Sequence, residues 1–252
     1  MARLVWLGHA TVLVELAGTR ILTDPVLRSR VAHLRRHAPA VTPAVPAPLD
    51  AVLLSHLHYD HADVGTLRRV HEAVPVIGPR GTRRALAATA GLEDVREVVV
   101  GEDVEIGLGV SVRAVPARHD GRRRPLSADV DALGFVIEGD GRRVYFAGDT
   151  DLYDGMERIG DGGLDLALLP VWGWGPTLGP GHLDPDRAAQ AAALLAPRRA
   201  VPIHWGTFLP ITSIGRHRHL LVDPPHTFAA RAAQLAPDVA VTILAPGASL
   251  EF

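Results

Sequence analysis

Apolar residues at the start of the chain alternate with polar ones at the two-residue spacing of extended strands. The runs RLVWL, TVLVEL and RILTD read as three strands, with Gly8 and Gly18 marking turns. Residues 28–48 are rich in arginine, alanine and proline and keep no clean period. They are expected as a long surface loop, the kind of segment that often covers a functional site. DAVLLS is then a short buried strand running straight into HLHYDHAD. Helices are expected around residues 63–72 and 80–90, separated by the strand-like VPVIG. Further strands are VREVVV, VSVRAVPA, LGFVIEG, RRVYFAGD and LDLALLPV. DPDRAAQAAALLA is the clearest helix, with Asp184 as its N-cap and Pro185 in its first position. RAVPIHW reads as a strand, DPPHTFAARAAQLA as a helix and VAVTILAPGASLEF as two closing strands. Strands followed by helices thus occur twice. That order predicts an α/β fold of two sheets packed face to face with helices outside, in a single domain over residues 1–252.

Composition narrows the chemistry. With 47% hydrophobic and 21% charged residues, the chain reads as globular with ample material for a core. Lys+Arg 26 against Asp+Glu 28 leaves a formal charge of -2, so no nucleic-acid partner is expected. Every basic residue is arginine, which removes Schiff-base chemistry and a P-loop lysine. The chain has no cysteine, excluding disulfides, thiolate metal sites and cysteine nucleophiles. His9 and Glu15 interrupt the apolar N-terminus, so it reads as strands and not as a signal peptide. No stretch approaches the ~18–20 apolar residues of a membrane span, and a cytoplasmic protein is the expectation.

Histidine is what the composition leaves, with 13 in the chain. The densest group is Ser55-His56-Leu57-His58-Tyr59-Asp60-His61, directly after a strand. In an extended segment His56 and His58 point the same way, and a turn into the next helix can bring Asp60 and His61 to the same cavity. Tyr59 should alternate away from His58 into the core. Imidazole and carboxylate ligands suit zinc, and also iron or manganese. Remaining ligands should come from other strand ends: His119 after VSVRAVPAR, Asp149 closing RRVYFAGD beyond Gly148, and His204 closing RAVPI.

These motifs resemble the metallo-β-lactamase fold superfamily of metal-dependent hydrolases over essentially the whole chain. The resemblance implies a four-layer αββα sandwich and two divalent metal ions, zinc first. It implies that His56, His58 and His119 hold one ion, that Asp60, His61 and His204 hold the other, and that Asp149 bridges them. Asp24, in ILTDP, would support the histidines from behind. WLGHATVLVE, ILTDP, SHLHYDH, FAGDT, GHLDP and IHWGTF look like the N-acylphosphatidylethanolamine phospholipase D group, and sugar-phosphate lactonases of the ascorbate-6-phosphate type share part of the pattern. Asp120 follows His119 where the phospholipase group tends to carry an aromatic residue.

The mechanism expected of such a centre is attack by a metal-bridging hydroxide on a phosphodiester, with Asp60 taking the proton. A lactone is the alternative substrate, and a metal-bearing scaffold or regulator is the non-enzymatic reading. His182, in GPGHLDP, is a candidate general acid. His9, Trp172, Trp174 and Arg122 are candidate substrate contacts, and Arg123, Arg124, Arg216 and Arg218 are further candidates for holding a phosphoryl group. The expected partner is a small-molecule or lipid-like ester substrate, with a homo-oligomer left open.

Overall fold

The computed structural model describes residues 2–39, 48–70, 74–92, 94–107, 109–122, 130–213, 215 and 217–252. Arg123, Arg124 and Arg216 lie outside the described residues, as do positions 40–47 of the expected loop.

The chain opens with β1 (Arg3–Gly8), β2 (Thr11–Leu16) and β3 (Thr19–Thr23), an antiparallel meander. The segment expected as loop instead forms β4 (Arg30–Val31) and β5 (Leu34–Arg36). Strands of two and three residues are too short to print a period, which is why the sequence hides them. β6 (Ala51–Leu53), α1 (Val64–Val70), β7 (Val76–Pro79), α2 (Thr82–Ala90) and β8 (Val95–Val98) follow, with β3, β6, β7 and β8 parallel.

β9 (Asp103–Gly107) is a strand that the sequence reading passed over. It pairs with β10 (Val110–Pro116), which continues through β11 (Leu133–Gly139) to β12 (Arg142–Phe146), all antiparallel. β13 (Leu166–Pro170), α3 (Pro185–Leu195) and β14 (Arg199–Ile203) extend this sheet in parallel. As expected, Asp184 caps α3, accepting the Arg187 amide at 2.8 Å. β15 (Phe208–Pro210) pairs with β5, completing a small third sheet with β4. After α4 (Asp223–Leu235) the two closing strands part company: β16 (Ala240–Val241) joins β14, whereas β17 (Ser249–Glu251) returns to β1 in the first sheet.

Strand alternation explains the layers. On β12 and β13, Val144, Phe146, Leu166 and Leu168 face Leu4, Trp6, Val14 and Leu53 of the first sheet, forming the core between the sheets. Their sequence neighbours Tyr145, Ala147, Ala167 and Leu169 face outward, under Ala188, Ala192, Phe228 and Ala232 of α3 and α4. The outer face of the first sheet is likewise covered by Leu67 of α1 and Leu86 of α2. The result is the four-layer αββα sandwich expected of the metallo-β-lactamase fold.

β1, β3, β6, β10, β12, β13 and β14 all end at the same rim of the two sheets, and the candidate residues follow those ends. Leu168 is fully buried between the sheets. Leu168→Ala should therefore destabilise the protein by about 2–5 kcal/mol, seen as a lower urea midpoint at unchanged slope.

Candidate metal centre

Asp24 lies deepest. Leaving β3 in a left-handed conformation at φ 34°, it is fully buried and accepts three hydrogen bonds. The Ser55 amide donates to Oδ1 at 2.7 Å, and the Ser55 hydroxyl and the His61 Nδ1–H reach Oδ2 at 2.6 and 2.7 Å. Burial pushes the Asp24 carboxyl up, and these donors, with the charge of His61, pull against it. Because the Ser55 hydroxyl gives its one hydrogen to Asp24, its oxygen accepts from Nδ1 of His56 at 2.9 Å. Both histidines therefore turn Nε2 inward. Backbone carbonyls do the same for two more: Gly181 O accepts from His119 Nδ1 at 2.8 Å and Trp172 O from His204 Nδ1 at 2.7 Å.

The inward nitrogens gather in two groups. His58 Nδ1 stands 3.0 Å from His56 Nε2 and 3.1 Å from His119 Nε2. His61 Nε2 and His204 Nε2 are 3.0 Å apart, and Asp60 Oδ2 is 3.7 Å from each. Asp149 reaches His61 Nε2 through Oδ2 and His204 Nε2 through Oδ1, both at 3.2 Å, and its ligand oxygen is also within 4.8 Å of those of His119 and His182. The structure thus brings together all seven residues expected as ligands, with Asp149 between the two groups.

The donor set fits divalent cations. Neutral, and with Nδ1 protons already assigned outward, His56 and His119 present only lone pairs to His58, which has at most one hydrogen to share. Asp149 Oδ1 is buried without a hydrogen-bond partner among the described residues. Protons meet part of this demand for positive charge: burial pushes the His61 imidazole down, but Asp149, Asp60 and Asp24 hold it well above its usual range. Likewise Asp149, raised by burial, is held well below the carboxylate range by His204, His61 and His182. Nitrogen and oxygen donors without thiolate suit zinc, iron or manganese.

His182 lines the cavity above this centre, its Nδ1 donating to Gly179 O at 3.1 Å and its Nε2 3.5 Å from Asp149 Oδ2. Burial lowers its affinity for a proton, but Asp149 outweighs burial and raises its pKa to about 9. The cavity holds about 270 Å³, between Leu34 and Tyr59 on one wall and Trp174 and Leu178 on the other. The rings of His33 and Trp174 meet edge-on at 4.9 Å, so residues 32–34 of the expected covering loop do wall the site.

Four expectations need correction. His9 is fully buried behind Asp60, bonded to Oδ2 at 2.8 Å, and is not among the residues lining the cavity. Trp172 lends its carbonyl to His204 and folds its indole back onto Gly175 O, leaving Trp174 as the tryptophan of the cavity wall. Arg122 grips Asp120 through both carboxylate oxygens and lies in a separate groove beside His119. Arg218 is exposed and does not line the cavity. Tyr59 packs against the cluster of Val26, Val31, Leu34 and Phe208, in keeping with the core packing expected of it, and from there also lines the cavity half-buried. Sequence reasoning missed Ser55, although it stands beside His56 within the motif, and the two carbonyl acceptors carry no residue-type signal at all.

A histidine- and aspartate-lined rim on a two-sheet sandwich marks a protein able to hold divalent metal ions. Residues 19–205 match the family described as beta-lactamase superfamily domain. The chain is 35% identical over 255 residues to a metal-dependent hydrolase of Opitutus terrae, covering 99% of each. It is 34% identical over 226 residues to the N-acyl-phosphatidylethanolamine-hydrolyzing phospholipase D 1 of Caenorhabditis elegans, covering 81% of this chain but only 63% of that protein. A solved metallo hydrolase from Ignicoccus hospitalis superposes with a TM-score of 0.73 at 23% identity, covering 100% of this chain and 99% of that one. The chain belongs to the beta-lactamase superfamily.

Gly148 has φ 61°, and a Cβ there would stand 2.4 Å from that of Ser55. Gly148→Ala should cost about 1–3 kcal/mol and push Ser55 off Asp24 and His56, read as lower ion uptake together with a lower melting temperature. The acid response follows from histidines buried neutral. Burial lowers His9 to about 3, and burial with His182 and His58 lowers His119 to about 4, against the pull of nearby carboxylates. As pH falls below about 6.5 the unfolded chain takes up these protons and the folded chain does not, so stability drops until each folded pKa is reached. His61, held above 6.5, is charged in both states over this range and adds no slope. In chelator the urea midpoint should fall steadily from pH 6.5 to 4; a flat profile contradicts the burial argument.

Proposed function

We propose that the chain is a dinuclear hydrolase that cleaves a phosphodiester in the manner of a phospholipase D. The observation that carries the dinuclear part is Asp149, whose two oxygens each stand 3.2 Å from a ring nitrogen while its cluster extends to His119 and His182. His56, His58 and His119 would hold one ion and Asp60, His61 and His204 the other, with zinc the first candidate. Divalent ions in such a donor set supply Lewis acidity and make water a nucleophile near neutral pH. The likeness to the worm phospholipase supports phosphorus as the electrophile.

The chain's own residues then divide the proton work. Asp60 would take the proton that water gives up as its oxygen bonds to phosphorus. His182 would return a proton through Nε2 to the leaving oxygen, its Nδ1 held by Gly179 O. Trp174, Leu34 and Leu178 would pack against the apolar part of the substrate.

A second reading is lactone opening. No arginine is among the described residues lining the cavity, which favours a compact ester over a substrate bearing an additional phosphate.

Ion-loaded protein should hydrolyse bis-p-nitrophenyl phosphate, and His58→Ala and Asp149→Ala should abolish both ion content and turnover. Full ion stoichiometry with wild-type hydrolysis in either variant refutes the ligand assignment. Phosphodiester inertness beside rapid opening of a simple lactone reverses the order of the two readings. Inertness toward both, with ions bound and no open coordination position, supports a metal-bearing scaffold.

A further inference from the structure

We infer that His9 is a positioning residue for the second ion site: a neutral imidazole whose Nε2–H holds the Asp60 carboxylate. The inference rests on the dinuclear reading above and gives a role to a histidine that the chemistry there does not use.

Hydrogen placement decides the tautomer. His9 Nε2 is 2.8 Å from Asp60 Oδ2, and His9 Nδ1 is buried with no hydrogen-bond partner among the described residues. A proton on Nδ1 would leave a buried N–H unsatisfied and set a lone pair against a carboxylate oxygen. A proton on Nε2 satisfies the carboxylate and leaves only a bare acceptor, the cheaper omission.

The same reasoning separates His9 from a ligand, although its Nε2 lies within 4.8 Å of the donors of Asp60, His61 and His204. His61 and His204 each give Nδ1–H an acceptor, in Asp24 and in Trp172 O. His9 has none among the described residues, so binding an ion through Nε2 would strand its remaining proton and unhook Asp60.

The backbone around His9 is built for placement. Gly8 and His9 both adopt positive φ, 106° and 54°. A Cβ on Gly8 would stand 2.8 Å from Arg36 Nη2 and 3.1 Å from Thr207 Oγ1. The His9 amide donates to Thr207 Oγ1 at 2.7 Å, and its carbonyl accepts from Trp6 Nε1 and the His204 amide, both at 2.9 Å. The His9 ring lies over His204 at 3.9 Å and meets Phe208 edge-on at 5.2 Å. Volume filling alone requires none of these anchors. What they fix is Asp60 Oδ2, the oxygen that closes the set with His61 and His204, so losing His9 should weaken the second ion and spare the triad of His56, His58 and His119.

The test compares the full-length wild type, His9→Ala and His9→Gln, since a glutamine amide restores a donor near Nε2. Nitrogen-15 NMR of the ion-free wild type reads the tautomer; cobalt(II) titration against a chelator, followed by the visible spectrum, reads each ion's affinity and ligands. His9 should carry its proton on Nε2. His9→Ala should keep the first ion and bind the second about 10–100-fold more weakly, with unchanged band positions, and His9→Gln should recover most of the loss. A proton on Nδ1, equal second-ion affinity in wild type and His9→Ala, failure of His9→Gln to recover, or a spectrum showing a lost nitrogen ligand overturns the role. A wild type that takes up only one ion instead sinks the dinuclear reading, and this role with it.

Discussion

Buried imidazoles can turn lone pairs toward one another only if each ring's remaining proton is taken up on the outside. That constraint organises the centre. Asp24 takes the outer proton of His61 directly and, through the Ser55 hydroxyl, fixes that of His56. Gly181 O and Trp172 O take those of His119 and His204. Remove an acceptor, and a ring can flip or re-tautomerise and present a hydrogen where a lone pair is needed. The two sheets serve this arrangement by delivering acceptors and rings from separate strand ends to one rim.

Delivery has a conformational cost. His9, Asp24 and His204 all hold positive φ, at 54°, 34° and 62°, and each follows a strand that ends at this rim. Strain of roughly 1–3 kcal/mol per residue persists only where the surroundings over-determine the backbone. Here they do, through the 2.9 Å bond from the His204 amide to His9 O, the Thr207 hydroxyl on the His9 amide, and the Asp24 amide on Leu53 O at 2.9 Å. The extensive core between the sheets offsets that cost, which places the rigidity of the centre in packing several residues away from it.

The parts of this design that depend on residue type or period were legible in the sequence. Alternation gave the long strands, Asp184-Pro185 gave the start of α3, and the histidine run with three strand-end residues gave the ligand candidates. What escaped depends on pairing across sequence distance. Arg122 looked like a phosphate contact until Asp120, two residues away, proved to hold it. His9 and Trp172 looked outward because a ring's direction at a turn follows from the backbone conformation, which a sequence does not display. β17 returns to β1 across the whole chain length, and nothing in SLE distinguishes that partner from β16.

Floor and walls of the cavity are built differently. The floor rests on long strands of both main sheets, whereas one wall comes from the turn between β4 and β5 and the other from the 173–179 segment. The small sheet is fastened by Arg36, whose guanidinium donates to Leu7 O and Val26 O and lies 5.6 Å over Phe208, and burial lowers its pKa. The bond to Leu7 O runs to the backbone just before Gly8 and His9, so the wall and the turn behind Asp60 share one anchor. A change in the small sheet that reshaped the cavity would therefore also reach His9 and Asp60, unless it left Arg36 and Phe208 in place. Leu34 and Trp174 pack on the same cluster as Phe208, whereas Ala32, His33, Gly175, Thr177 and Leu178 line the cavity outside it, and there the cavity can change shape while the centre stays intact.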